Sequence, residues 1–324
     1  MRNLALVTRF AAIAALSAVP VFAEGSCWLR DAASPAPSTV YALCEQGVLW
    51  ATTDGGVKWV ARTIKTDQPL RAMAFPDAKR GVVVGDNGLV LGSEDGGKTW
   101  TPQQSGTKEK LMDVTFIGNQ GWATGMNGTL IHTVDGGRTW KPQKTSTTQA
   151  LEGIFFLDAN HGWAVGWAGT ILRTEDGGST WQSVKSNDAQ WSMTALYFKD
   201  AKVGWAVGFA GQILGTSDGG VTWKLVPSPT KAYLTSIGFD KDGHGWIAYD
   251  DGFLTSVDGG ATWKVVPADG RFFLARLLTM NDSLWALGQS VMLRYTGNNQ
   301  WKRIDSLVPN TMMEGATMDS AVSK

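Results

Sequence analysis

The sequence predicts an all-β protein, a seven-bladed β-propeller with four-stranded antiparallel blades. Three observations carry this. A box of the form DGG followed by a tryptophan recurs every 40 to 42 residues. A second, glycine-flanked phrase precedes each box at a near-constant distance. The composition combines 39 Gly and 16 Trp with only 18% charged residues, many turns and many large anchors.

The chain opens on a basic start (Arg2, Arg9), a short apolar stretch "FAAIAALSAV" and the small-residue site "VFA" ending at Ala23. This is the pattern of a secretory leader, residues 1–23, too short for a comfortable membrane span. The expected mature chain starts at Glu24 and holds 27 basic against 29 acidic residues. That balance gives no field for nucleic acid. Cys27 and Cys44 are the only thiols, and in an exported protein a disulfide between them is expected. A lipid anchor on Cys27 fits poorly, because Glu24 stands where an aliphatic residue is wanted.

The repeats follow. The boxed aspartates are Asp54, Asp95, Asp135, Asp176, Asp218 and Asp258, separated by 41, 40, 41, 42 and 40 residues. A seventh, eroded copy, "RYTGNNQW", has Thr296 in place of the aspartate. "GWAVG" or a variant stands upstream of the boxes, preceded by an alternating apolar run such as Leu151, Ile154, Phe156 and followed by a β-rich piece such as "GTILRT". Each unit therefore reads as four short strands. One such sheet cannot bury both its faces, whereas a ring of seven can. The propeller is expected over residues 24–306, with a disordered tail at 307–324.

The box is expected between the third and fourth strands of each blade. Its glycines supply positive φ, its aspartate accepts turn amides as a buried carboxylate, and its tryptophan packs beneath the turn. A site used once does not need six copies, so these residues read as structural. A calcium loop would gather more oxygens than one carboxylate per box.

"TEDGGSTW" and its copies match the Asp-box, or bacterial neuraminidase repeat. Joined to "GWAVG", they resemble the photosystem II stability/assembly factor-like family of exported propellers. The resemblance implies a lumenal or periplasmic chaperone that holds a membrane-protein client during complex assembly, with a basic, arginine-bearing patch and no cofactor. It implies a periplasmic place for this chain, or the thylakoid lumen in a photosynthetic host.

Recognition must lie in what differs between blades. The residue after the second phrase is Glu45, Asp86, Met126, Trp167, Phe209, Tyr249 and Gln289 in turn. Met126, Trp167, Phe209 and Tyr249 form a run on successive blades, on the face opposite the boxes, and are candidate partner-binding residues. Arg62 and Arg271 in interblade loops, with Arg71 and Arg276 at the start of inner strands, are candidates for a basic rim that steers an acidic partner. The alternative function is a glycan-binding or sialidase-like propeller. That chemistry needs an arginine cluster and a Tyr/Glu nucleophile pair, and the Arg-Ile-Pro signature is absent. The three histidines do not converge on a metal reading, and a closed ring is expected to work as a monomer.

Overall fold

The computed structural model describes residues 27–250, 252–267, 273–280, 283–289, 291–297 and 300–304. The expected leader and tail, Arg271 and Asp251 lie outside them. Seven four-stranded sheets are present, each with its strands side by side in chain order. Blade 1 comprises Leu29–Ala36, Thr39–Cys44, Val48–Thr52 and Val60–Thr63; blade 4 comprises Leu151–Phe156, Gly162–Gly166, Ile171–Thr174 and Gln182–Ser183. The first strand of each blade is innermost and packs on its counterpart in the next. That of blade 7, Leu274–Met280, packs on that of blade 1 and closes the ring. Among the described residues no helix is long and apolar enough to cross a membrane.

The second phrase forms the second strand, and its tryptophan joins blade to blade. Trp122 and Trp163 lie nearly parallel to a phenylalanine of the next blade's inner strand, and Trp205 lies tilted by 34° against its own. The partners are Phe156 at 3.5 Å, Phe198 at 3.6 Å and Phe239 at 4.6 Å between ring centroids. Each indole N–H then donates to a glycine carbonyl of the next blade's box: Gly177 at 2.9 Å, Gly219 at 2.9 Å and Gly260 at 3.2 Å. Blade 1 carries Tyr41 at this position. It stacks on Phe75 at 4.4 Å and donates its hydroxyl to Gly96 at 2.8 Å.

The box lies between strands three and four, as expected, and its tryptophans are buried from blade 1 (Trp59) to blade 6 (Trp263), except for the half-buried Trp100. One expectation is corrected. The boxed carboxylates are not buried; the buried group is the preceding hydroxyl, Thr52, Ser93, Thr133, Thr174, Thr216 or Ser256. The reason is geometric, since the amides that each carboxylate caps face outward on the turn. In blade 6, Asp258 takes the Ser256 hydroxyl at 2.7 Å, the Thr262 amide at 2.9 Å and the Thr262 hydroxyl at 2.6 Å. Donation from Thr262, and from Thr222 in blade 5, holds the Asp258 and Asp218 carboxyls down at about 2. Cys27 and Cys44 are joined across a separation of 17 residues, which ties the chain's entry to the second strand of blade 1. Such a loop restricts the unfolded chain by roughly 3 kcal/mol.

Trp163→Ala should cost about 3–5 kcal/mol in urea unfolding, and Trp163→Phe, which strands the Gly219 carbonyl, about 1–2 kcal/mol. The exposed Trp191 replaced by alanine should cost under about 0.5 kcal/mol. The box carboxyls stabilise the fold above their unfolded value near pH 4, and that contribution fades as pH falls toward 2. Thermal unfolding followed by circular dichroism should therefore show a steeper fall in Tm between pH 4 and 2 for the native chain than for the Asp218→Asn, Asp258→Asn double variant.

Candidate functional site

The turns between strands two and three share one end of the propeller with the interblade links. The amide after the second phrase bonds to the carbonyl just before the inner strand: Met126 to Lys110, Trp167 to Ala150 and Phe209 to Ser192, each at 2.9 Å. In blades 2 to 5 the turn is a three-residue 3-10 segment, Asp86–Gly88, Met126–Gly128, Trp167–Gly169 and Phe209–Gly211. Its middle residue is left-handed, with φ of 56° at Asn87, 55° at Asn127, 53° at Ala168 and 54° at Ala210. The glycine that follows is irreplaceable for a second reason: a Cβ on Gly169 would lie 2.0 Å from the Ala189 carbonyl oxygen. The turn thus hooks under the neighbouring link and sets its first side chain at the rim. An alanine in this conformation costs about 1–2 kcal/mol. The two alanines stand in the two turns that begin with an exposed aromatic.

Of the four candidate residues in the run, Trp167 and Phe209 are 44% and 45% exposed. Met126 is half-buried. Tyr249 is also half-buried, packed against the core between blades 5 and 6. Blade 6 lacks the three-residue turn: Tyr249 pairs directly with Gly252, and its hydroxyl rests over that glycine. Two further aromatics complete the patch. Trp191, 54% exposed, follows the loop that hooks over Gly169; the Ser192 beside it bonds Ala168 and Phe209, and Gln212 accepts the Trp191 amide at 3.1 Å. Tyr233 packs 4.4 Å from Phe209. Burial first, then the negative charge of Glu152 and Asp250, push the Tyr233 phenol up to about 12.

Inner strands supply the polar part. In blades 1, 2 and 4 the inner strand carries a bulge at or beside its second residue, and that side chain meets the turn residue fifteen positions on. Arg30 bonds Glu45 at 2.9 Å, Arg71 bonds Asp86 at 2.7 Å, and Glu152 accepts the Trp167 indole N–H at 2.6 Å. Arg71 also reaches Glu45 at 2.8 Å, and Lys110 lies 3.7 Å from Asp86. This ladder holds the Asp86 carboxyl below its usual range, with Arg71 the largest cause.

Of the four arginines expected on a rim, the three within the described residues do not assemble into one. Arg62 stands in the outermost strand of blade 1, not in a loop, and donates at 2.9 Å to the Gly96 carbonyl of the next box, at the opposite end from the turns. Arg71 belongs to the ladder. Arg276 reaches Asp31 at 3.1 Å and Asp113 at 3.2 Å, linking blades 7, 1 and 3. Both aspartates are buried and cap amides of the following blade, Met73 at 2.9 Å and Ile154 at 3.1 Å. Burial lifts the Asp31 carboxyl to about 6 against the pull of Arg276. Arg271 lies outside the described residues. At the box end, Asp240, Asp242 and His244 gather within 4.8 Å, but Asp240 caps the amides of Asp242 and His244 and pairs with the His244 ring. The hydrogen bonds of a turn account for that group.

Fold and face together define an Asp-box propeller whose repeated parts are structural and whose one-off side chains collect at one end. Residues 59–148 and 138–231 match the family described as photosynthesis system II assembly factor YCF48. These spans cover more than half the chain, and the chain belongs to that family. It is similar in fold to a solved structure titled YCF48 bound to D1 peptide, with 20% identity, a TM-score of 0.71, and 84% of this chain and 94% of that one covered. YCF48 from Cyanidioschyzon merolae is 23% identical with a TM-score of 0.60, covering 74% and 86%. The WD40 propeller of Doa1, 12% identical at a TM-score of 0.68 over 84% and 93%, shares the architecture. No curated protein matches the chain.

Replacing Arg276 by glutamine tests whether it braces the channel or serves a partner. A brace leaves two buried carboxylates without their counter-charge, so Arg276→Gln should lose about 3 kcal/mol or more at pH 8. The variant should regain stability toward pH 5, because protonation removes the unpaired charge. A pH-independent Tm equal to that of the native chain would contradict the brace.

Proposed function

We propose that this chain is an exported, non-catalytic propeller that captures a polypeptide segment of a membrane-complex subunit and assists assembly of that complex. The observation that carries the reading is the pair of exposed aromatics, Trp167 and Phe209, on adjacent blades with Trp191 beside them. Both side chains begin strained turns and keep nearly half their surface exposed, although Phe209 packs on Tyr233 and Trp167 bonds Glu152, and grouped aromatics are the usual anchors of protein interfaces. Family membership supports an assembly role, and the similar YCF48 structure with a D1 peptide supports a peptide as the ligand class. The Cys27–Cys44 disulfide supports an oxidising compartment, the periplasm or a thylakoid lumen.

The hydrolase alternative finds little support at this face. A tyrosine nucleophile needs a lowered phenol, whereas Tyr233 is pushed up and Tyr41 is committed to the Gly96 carbonyl. Arg71 and Arg276 are each held by two carboxylates.

The reading is tested with fluorescein-labelled peptides tiled across the lumenal segments of D1, titrated by anisotropy. At least one tile should bind. The triple variant Trp167→Ala, Trp191→Ala, Phe209→Ala should weaken it roughly a hundredfold with an unchanged Tm. Failure of every tile would end the photosystem client, and equal binding by the variant would end the aromatic face.

A further inference from the structure

The position that places Arg30 against Glu45 and Arg71 against Asp86 places Glu152 against Trp167 in blade 4. In blades 1 and 2 the pairs are ionic, and the ladder from Arg30 through Glu45, Arg71 and Asp86 to Lys110 satisfies itself. In blade 4 the acid has moved to the strand, and the turn offers a neutral indole instead of a cation. The half-buried Glu152 carboxylate accepts one hydrogen bond, from Trp167, and makes no ion pair among the described residues. Its field reaches Tyr233 two blades away. An uncompensated carboxylate beside an exposed indole, with Trp191 and Phe209 next along the face, is the chemistry that receives a cation carried on an apolar segment.

We propose that the Glu152–Trp167 couple receives a lysine or arginine side chain of the client, while apolar residues flanking that cation lie on Trp191 and Phe209. This rests on the peptide-capturing function proposed above and specifies its ligand. The cation completes the ion pair that blade 4 lacks and covers the indole face. Its aliphatic stem extends the apolar contact. An acidic residue would meet Glu152 directly and be rejected. The ligand class is therefore a basic-apolar stretch, although an arginine-bearing patch on the family resemblance leads one to expect an acidic partner.

The test is selection from a phage-displayed random dodecapeptide library on the immobilised native chain, on the aromatic triple variant and on Glu152→Gln. Glutamine keeps the acceptor for the Trp167 indole and removes only the charge. The native chain should enrich lysine or arginine flanked by aromatic or aliphatic residues. Selected peptides should lose roughly tenfold in affinity on Glu152→Gln or on replacement of their cation by glutamine. Apolar peptides enriched without a cation, or equal affinity for Glu152→Gln, would overturn this inference and leave peptide capture standing. Enrichment of acidic peptides would also overturn it. A native chain that enriches nothing beyond the triple variant would overturn peptide capture itself.

Discussion

The structure depends on a wedge repeated between blades: an aromatic ring in one second strand, stacked on the next blade's inner strand and bonded to a glycine carbonyl of the next blade's box. It joins three parts of the sequence spread over more than fifty residues, as Trp163 does with Phe198 and Gly219. The bond forms from blades 1, 3, 4 and 5, where the next box presents a glycine carbonyl in register, whereas the buried indoles of Trp246 and Trp285 in blades 6 and 7 have no acceptor among the described residues. This explains why box and second phrase recur together. The box shapes its own turn and also serves as the socket for the preceding blade. The position tolerates exchange of the ring while the socket stays an ordinary box. Tyr41 reaches the same carbonyl with a hydroxyl, and Val82 fills the gap in blade 2 by contact alone, its methyl standing where a Cβ on Gly137 would be.

A ring fixed in this way leaves few backbone positions free to vary, and those few carry the chemistry of the face. In blades 1, 2 and 4 the second residue of the inner strand meets the first residue of the same blade's turn, whereas Thr194 in blade 5 is buried and bonds the Val207 and Leu234 carbonyls. Two sequence positions therefore set the polarity of those three blades. Blades 1 and 2 use them for an ionic ladder, and blade 4 for an acid and an indole. The left-handed alanines add to the same picture. Asn87 and Asn127 are residue types that tolerate that conformation, and their side chains reach the neighbouring link: Asn127 donates to Glu109 at 2.9 Å. Ala168 and Ala210 have no such bond and leave their turns smooth beside Trp167 and Phe209.

The ring, its seven sectors and the structural part played by the boxes were legible because periodicity repeats the same evidence many times. The face was legible only in part. Trp167 and Phe209 stood out as the first residues after a repeated phrase. Trp191 sits in a link whose counterparts between the other successive blades carry no tryptophan, and its one signal was to be among the four tryptophans outside both repeated motifs. Glu152 could have been found from the fifteen-residue spacing that pairs Arg30 with Glu45 and Arg71 with Asp86. Tyr249 misled because its place in the phrase is right while its turn is shorter. The arginines misled because charge was counted without its partners: Arg62, Arg71 and Arg276 each face a carbonyl or carboxylate that only the folded chain brings near.

Closure of the ring shows what that pairing achieves. Blade 1 is built wholly from the first strands and blade 7 wholly from the last, so no strand is exchanged to lock the circle. The seam instead gathers interactions of different kinds. Arg276 grips Asp31 across it, Trp28 bridges to Gln289 and lies 5.5 Å from Phe273, and the disulfide pins the entering chain to its own second strand. Asp31 also caps the Met73 amide of blade 2, and Arg276 reaches on to Asp113 in blade 3. One guanidinium thus couples the last blade to the amides that order the first four. The Arg276 charge is held within the ring by two carboxylates, whereas the exposed aromatics of the proposed capture face stand on blades 4 and 5.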